Sequence, residues 1–369
     1  MLKQYKLKNY HFQLIIEIVA LNIIGILLIG SARPATQKTQ IMGFLMGMVM
    51  MIVISLMDYS FILKFPWLYY IGIVGLLILV FSPVAGHDSH GARRWIRLPG
   101  FNFQPSELTK IVIILFFAYY FAKYQEKINT LKVLSISFVI IGIPLVLILK
   151  QPDTSTTIAI ALIFISLLFI AGLSYKIVLT VLGISIPVGI IGISIILRMA
   201  QNGEDYRFGR IMSWLYPENP KWAETAAQQQ NSIMAIGSGQ LWGKGLNNSA
   251  ATSMKNADYI VEPQTDFIFS VAGEELGFVG TLVITLLLFF IIIECILIAR
   301  KAKDLSGRLI CAGMASLVGF QSVFNIFVTT GLMPNTGIPL PFVSAGLTSL
   351  LSLYIGMGFV LNVGLQPKK

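Results

Sequence analysis

The segment 261–269 (Val-Glu-Pro-Gln-Thr-Asp-Phe-Ile-Phe) ends the one long polar stretch of this chain and leads into an apolar run. It places Asp266 where the chain re-enters that run, and Glu262 four residues earlier. A carboxylate at such a boundary either caps the following helix or acts as a reactive group, for example a general base. The residue type and position alone leave both interpretations open.

Two further groups of charges stand at the ends of apolar runs. Glu107 and Lys110 are three residues apart after Pro105, so they share one helical face and can pair. Charges inside a membrane helix usually face a polar cavity, although a purely structural buried ion pair is the alternative. Asp153 follows Pro152 and either joins this network or caps the next helix.

A short basic segment lies between two apolar runs. Arg93, Arg94 and Arg97 surround Trp95 there. Such a cluster either anchors lipid phosphates or binds an anionic substrate. Trp95 is either an interfacial belt residue or a contact for a sugar or lipid.

The composition indicates a membrane protein. Hydrophobic residues make up 56% of the 369 residues and charged residues only 12%. A soluble domain carries roughly twice that charged fraction, and the long continuous apolar runs favour helices over a barrel. We predict an all-α polytopic fold in which residues 1–369 form one integral membrane domain with ten spans: 11–31, 40–57, 66–83, 105–123, 132–150, 156–172, 175–197, 267–298, 308–332 and 344–365.

The distribution of Lys and Arg predicts the orientation. Short loops on the side of both termini carry most of their positive charge beside helix ends, which places the termini in the cytoplasm and the loop 198–266 outside. The net charge of +10 belongs to no soluble basic module. We therefore expect anionic lipid head groups and diphosphates as partners, and no nucleic acid.

The long loop and a second outer loop contain three distinctive segments. Residues 208–215, which include Arg210, are short, aromatic and basic, as expected of a helix lying on the membrane. Residues 231–246 are half apolar and rich in glycine; they either dip into the membrane edge or cradle a phosphate, with Lys244 nearby. Residues 331–344 contain three prolines, so they form a rigid loop that either walls a cavity or only packs.

Cysteine and histidine provide no obvious metal site. Cys295 and Cys311 both fall in apolar stretches, which predicts buried free thiols. The three histidines, His11, His87 and His90, do not form a recognisable ligand set.

Taken together, these motifs resemble those of the SEDS family, which includes RodA, FtsW and SpoVE. The similar segments are 93–96 (Arg-Arg-Trp-Ile), 103–110 (Phe-Gln-Pro-Ser-Glu-Leu-Thr-Lys), 151–153 (Gln-Pro-Asp), 207–214, 235–239 with 243–245, 265–269 with 273–277, and 336–344. Among the departures, Gln240 stands where the family commonly has Gly, and Thr154-Ser155 where it commonly has Leu-Gly. Length and short tails are more like the RodA branch.

The resemblance implies ten membrane helices and a peptidoglycan glycosyltransferase that polymerises lipid II beside a class B penicillin-binding protein in the bacterial cytoplasmic membrane. It implies that Asp266 is catalytic, that Glu107, Lys110 and Asp153 line the central cavity, and that Trp95 is needed for activity. We also expect Glu262 to be one of the substrate-binding residues.

The expected chemistry is attack of a sugar hydroxyl on an anomeric carbon that bears a lipid diphosphate, with Asp266 as the base. Cations would stabilise the leaving diphosphate, and the candidates are Arg94, Lys110, Arg210, Lys244 or a bound divalent ion, Mg or Mn. Two other functions remain open: a flippase for lipid II, and a non-catalytic scaffold for the penicillin-binding protein.

Overall fold

The computed structural model describes residues 10–82, 86–89, 92–98, 101–179, 206–248 and 259–366. The helices are α1 (Phe12–Ala32), α2 (Pro34–Leu56), α3 (Tyr59–Ile62), α4 (Pro66–Leu79), α5 (Pro105–Lys123), α6 (Leu131–Lys150), α7 (Thr154–Ile170), α8 (Tyr206–Leu215), α9 (Ala223–Ser238), α10 (Ile268–Lys301), α11 (Leu305–Thr329) and α12 (Leu347–Leu365). Three strands, β1 (Gly86–Ser89), β2 (Ala92–Leu98) and β3 (Phe101–Phe103), form a small sheet.

Helices account for nine of the ten predicted spans. Within the described ranges, seven helices are long and apolar enough to cross a membrane: α1, α2, α5, α6, α10, α11 and α12. The apolar helices α4 and α7 are shorter and coincide with two more predicted spans. The seventh predicted span, 175–197, lies largely outside the described residues. The prediction of an all-α polytopic membrane protein is confirmed.

The bundle is built around α5. This helix packs against α4, α7, α11 and α12. Its aromatic side chains Phe116, Phe117 and Phe121 are fully buried. Phe117 packs edge-on against Phe164 of α7, with ring centroids 4.8 Å apart. The central position of α5 fixes the position of the charged residues in its first two turns.

The two ends of the bundle differ in what they carry. One end holds the sheet, α8, α9 and the segments 259–267 and 330–346; we call it the loop end. The other end holds both limits of the described chain, where the Tyr10 hydroxyl lies 3.0 Å from Ser55 Oγ and Gln366 bonds Asp58. This agrees with the even number of spans predicted from the sequence.

The sheet at the loop end is not expected from the sequence, which indicates only a short basic segment between two apolar runs. It is antiparallel in the order β1-β2-β3. Thr348 of α12 accepts a hydrogen bond from the backbone nitrogen of Gln104 (3.3 Å) and donates one to the carbonyl of Asn102 (3.2 Å). The sheet is thereby attached to the start of α5 and α12, and it holds the basic segment with Trp95.

Helix α10 is interrupted about two and a half turns after it begins. Gly277 has φ 67° and ψ −164°, which breaks the helical hydrogen bonding. The turn after α9 supplies the missing partners: Lys244 N donates to Glu274 O (2.9 Å), and Phe278 N donates to Gln240 O (2.8 Å). This is how membrane proteins tolerate a broken helix, because protein groups satisfy the freed backbone.

The glycines of the same turn serve this contact. A Cβ on Gly239 would lie 1.9 Å from Gly273 O, and one on Gly243 would lie 2.1 Å from Glu275 O. Backbone therefore packs directly on backbone, and the glycine spacing is explained by this approach rather than by a phosphate cradle.

Helix α9 is packed on the loop end of α10 and α11. The Ser232 hydroxyl lies 2.5 Å from Ser270 Oγ and donates to Thr329 O at 2.7 Å. Gln229 Nε2 donates to the carbonyls of Val328 and Met333, each at 2.7 Å. The loop around α9 is thus a folded layer of the structure.

Candidate active site

Asp266 lies at the base of the loop end, directly before α10. The cap of α10 is Phe267, and no side chain of the described residues donates or accepts a capping hydrogen bond there. The interpretation of Asp266 as a helix cap is therefore wrong. Its side chain is partly buried, and its Oδ2 faces Gly337, whose Cβ position would be 3.1 Å away.

Four of the predicted site residues provide the charges around this carboxylate. Burial raises the pKa of Asp266 to about 6; Arg210 lowers it, Glu262 and Asp153 raise it, and Arg94 lowers it. A carboxyl group in this range is deprotonated near neutral pH and still basic enough to accept a proton. The structure thus brings Asp266 together with Arg94, Asp153, Arg210 and Glu262.

The two arginines are held by backbone carbonyls of neighbouring loops. Arg94 Nε donates to Gln151 O at 3.0 Å, and Arg94 Nη2 donates to Pro152 O. Arg210 Nη1 donates to Asn335 O at 3.4 Å. These bonds fix β2 to the α6–α7 turn and α8 to the loop 331–346. A guanidinium has five N–H donors, so Arg94 retains donors for an anion.

Asp153 and Glu262 are both engaged. Asp153 caps α7, because its Oδ1 accepts from Thr156 N at 3.1 Å. Its Oδ2 accepts from Gln104 Nε2 at 3.5 Å. The capping interpretation of Asp153 is confirmed. Glu262 Oε1 lies 3.7 Å from Nη1 of Arg33, which is the residue that links α1 to α2.

Glu107 and Lys110 form a closed pair at the start of α5. Lys110 Nζ lies 2.8 Å from each carboxylate oxygen of Glu107. The two side chains are only 5% and 3% exposed. Both belong to one helix, so the pair does not itself join two helices. The predicted network with Asp153 is not formed by the contacts of the described residues.

Lys244 and Trp95 are placed by contacts with other parts of the loop end. Lys244 Nζ lies 2.9 Å from Glu274 Oε1 at the break in α10. It is not among the charges that shift Asp266. Trp95 is partly buried in β2, opposite His87 of β1. Substrate binding by these two residues stays a prediction.

The described residues around Asp266 contain no preformed set of protein ligands for a divalent ion. In the described part of the chain, no three His, Cys, Asp or Glu side chains come close enough to ligate one. Asp153 is used as a cap and Glu262 is near Arg33. The predicted Mg or Mn stays a prediction. Cys295 and Cys311 are buried free thiols, as predicted.

Sequence reasoning missed several residues that shape this site. Gly337 faces the carboxylate, and Asn325 of α11 donates to the carbonyl of Asp266 at 2.8 Å. Ser155 donates to Thr336 O and so ties α7 to the loop 331–346. A buried amide in a membrane-spanning helix is the signal that points to Asn325, although Gln321 of the same helix shares it.

Comparison with known proteins decides the family. The model of a family described as "Cell cycle protein", covering FtsW, RodA and SpoVE, matches residues 8–369. The chain belongs to the FtsW/RodA/SpoVE family. This confirms the SEDS resemblance.

Relatives within the FtsW/RodA/SpoVE family match along most of the chain. The probable peptidoglycan glycosyltransferase FtsW of Geobacter sulfurreducens is 34% identical over 376 residues, which cover 98% of this chain and 97% of that protein. Stage V sporulation protein E of Bacillus subtilis is 36% identical over 292 residues, which cover 78% of this chain and 75% of that protein.

Solved structures share the fold. A chain from a study of polymerization and crosslinking by a peptidoglycan synthase complex has a TM-score of 0.77 and 26% identity, with 96% of this chain and 97% of that chain covered. The crystal structure of Thermus thermophilus RodA has a TM-score of 0.68 and 25% identity, with 96% of each chain covered. The preference for the RodA branch stays a prediction.

Proposed function

We propose that this chain is a peptidoglycan glycosyltransferase that polymerises lipid II into glycan strands at the outer face of the bacterial cytoplasmic membrane. The observation that carries the proposal is the partly buried carboxylate of Asp266, with a pKa of about 6, in the charge field of Arg94 and Arg210. Relatives named peptidoglycan glycosyltransferase, similar over nearly the whole chain, support the reaction class.

The geometry suits a single-base mechanism. Asp266 accepts the proton of the attacking sugar hydroxyl. The oxygen of that hydroxyl bonds to the anomeric carbon of the second substrate. The bond from that carbon to the diphosphate oxygen breaks, and its electron pair leaves with the polyprenyl diphosphate. Arg94 and Arg210 stabilise the charge on the leaving group, so no acid is needed. One carboxylate then suffices, unlike the pair of a glycosidase.

The proposed orientation places the loop end outside the cell. Both limits of the described chain lie at the opposite end. Basic residues beside the helix ends there, such as Arg300, Lys301 and Arg308, follow the positive-inside pattern. The termini would then be cytoplasmic, and the site would meet lipid II after its export.

We also propose a class B penicillin-binding protein as the partner, together with the surrounding membrane lipids. The structural similarity to a chain of a peptidoglycan synthase complex supports this choice. A transpeptidase beside the polymerase would crosslink the strands as they form.

The test is a reconstitution in proteoliposomes. The purified chain is given lipid II with and without the partner and with and without a divalent ion, and the glycan products are separated by length. Polymer from the wild-type chain is the expected result. Transfer of labelled lipid II between leaflets without polymer would instead identify a flippase. Polymer that forms only when the partner is present, in equal amounts with the wild type and with variants at Asp266, would identify a scaffold.

A further inference from the structure

Three successive carbonyls before α10 are each held by a different donor. Ala345 N donates to Gln264 O at 2.8 Å, and the Ser344 hydroxyl donates to Thr265 O at 2.6 Å. The same hydroxyl oxygen accepts from Leu340 N at 2.8 Å. The segment that carries Asp266 is therefore joined bond by bond to the loop 331–346.

The third donor is Asn325 of α11. Its Nδ2 donates to Asp266 O at 2.8 Å and to Ile338 O at 2.8 Å. Asn325 is only 2% exposed. One amide group thus binds both the residue that bears the carboxylate and the neighbour of Gly337, which faces that carboxylate.

The rest of the loop is fixed independently. Gln40 of α2 donates from Nε2 to Ser344 O at 3.2 Å and accepts from Gly346 N at 3.3 Å. With the loop anchored on α2, the Asn325 amide links Asp266 itself to the loop. A displacement of a catalytic group by about 1 Å can cost roughly 100-fold in rate.

We propose that Asn325 is a positioning residue for Asp266, and that its two hydrogen bonds hold the carboxylate against Gly337 in its reactive orientation. This inference rests on the proposed function. Asn325 does not touch the reacting atoms; it acts through the backbone of Asp266. Its amide is buried in the span of α11, where an unbonded donor would be costly, so breaking either bond is unfavourable.

The chain offers a matched control in Gln229 of α9. This residue is 7% exposed, and its Nε2 also donates to two backbone carbonyls, those of Val328 and Met333. Neither carbonyl belongs to the segment 264–266. Asn325→Leu and Gln229→Met each replace an amide by an apolar group of similar size and remove the same number of hydrogen bonds.

The experiment compares both variants with the wild type in lipid II polymerisation and in thermal unfolding. Asn325→Leu is expected to lower kcat by about 10- to 100-fold with KM within about 2-fold. Gln229→Met is expected to shift the unfolding temperature similarly but to change kcat by less than about 3-fold. Equal kcat losses in the two variants, or no loss in Asn325→Leu, would overturn the proposal.

A second readout does not depend on activity. The carboxyl band of Asp266 is identified by infrared difference spectroscopy against Asp266→Asn. Its intensity is followed against pH, and the midpoint is the pH at which half of the Asp266 carboxyl groups are protonated. The midpoint should move by about half a unit or more in Asn325→Leu and stay in place in Gln229→Met, because only the former releases the carboxylate from its position. If the wild type made no polymer, the proposed function would fail. The titration would still test whether Asn325 positions the carboxylate of Asp266. An unmoved midpoint in Asn325→Leu would contradict it.

Ser344→Ala covers the case in which Asn325→Leu does not fold. It removes the neighbouring bond to Thr265 O with little change in volume. Because this bond also joins the segment 264–266 to the loop 331–346, Ser344→Ala is expected to lower kcat less than Asn325→Leu does, with KM unchanged. Wild-type kcat and an unmoved Asp266 midpoint in Ser344→Ala would count against the proposal.

Discussion

The carboxylate of Asp266 faces the backbone of Gly337. A Cβ at position 337 would lie 3.1 Å from Asp266 Oδ2, and Gly337 has φ +70°, a conformation that L side chains rarely adopt. Glycine therefore satisfies two requirements at once, the turn of the loop and the room for the carboxylate.

Gly337→Ala should lower polymerisation by about 10-fold or more, because the added methyl group displaces the carboxylate. The control is Gly172→Ala after α7, where φ is +105° and nothing lies within 4 Å of the added carbon. Backbone strain of roughly 1–2 kcal/mol is expected at both positions. Initial rates in the polymerisation assay would separate them; equal activity of the two variants would contradict the role of Gly337.

The pH dependence of the reaction should report the charges around Asp266. As a base, Asp266 works only when deprotonated, so kcat/KM should rise with pH through about 6 and then level off. Arg210 lowers this pKa and Glu262 raises it. Arg210→Gln should move the rising limb to higher pH and Glu262→Gln to lower pH, each by about half a unit or more. Shifts in the same direction would show that another group titrates.

The Glu107–Lys110 pair can be tested for structure and for cavity function separately. Lys110→Met leaves a buried carboxylate without its partner. This should lower the free energy of unfolding by about 3 kcal/mol or more. Glu107→Gln/Lys110→Met removes both charges and should recover most of that stability. We expect the double variant to fold and yet polymerise poorly, since the pair would line the cavity. Wild-type rates in the folded double variant would leave the pair a purely structural role.

The break in α10 predicts different effects for two nearby glycines. A Cβ at Gly243 would meet Glu275 O at 2.1 Å, whereas at Gly245 nothing lies within 4 Å, and both have positive φ. Gly245→Ala should cost only about 1 kcal/mol of backbone strain. Gly243→Ala should cost more, about 3 kcal/mol, because the turn must move off the helix. Thermal unfolding of both variants measures the difference, and equal shifts would disprove the close packing.

Composition was sufficient to predict the membrane helices, because long apolar runs have few other solutions. The charged residues were also informative, since each stands out against an apolar background. Arg94, Asp153, Arg210 and Glu262 all act electrostatically on the pKa of Asp266. The sheet was missed because its strands are short and lack clear alternation. The bond from Asn325 to Asp266 joins residues 59 positions apart, which no local pattern encodes.

The break in α10 shows the same limit. Gly277 lies within an apolar stretch that predicts one continuous helix, and only the turn from α9 reveals why it bends. Gln240 in that turn has φ +51°, a conformation that glycine adopts without steric cost and other residues rarely adopt. The departure was visible in the sequence, but its conformational cause was not.

The most direct measurement is lipid II polymerisation by the purified Asp266→Asn chain with its partner, beside the wild type and with folding verified by thermal unfolding. The substitution keeps the shape and removes the base, so the rate should fall by about 100- to 10,000-fold while the unfolding transition is retained. Wild-type amounts of polymer from the folded variant would contradict the assignment of Asp266 as the base.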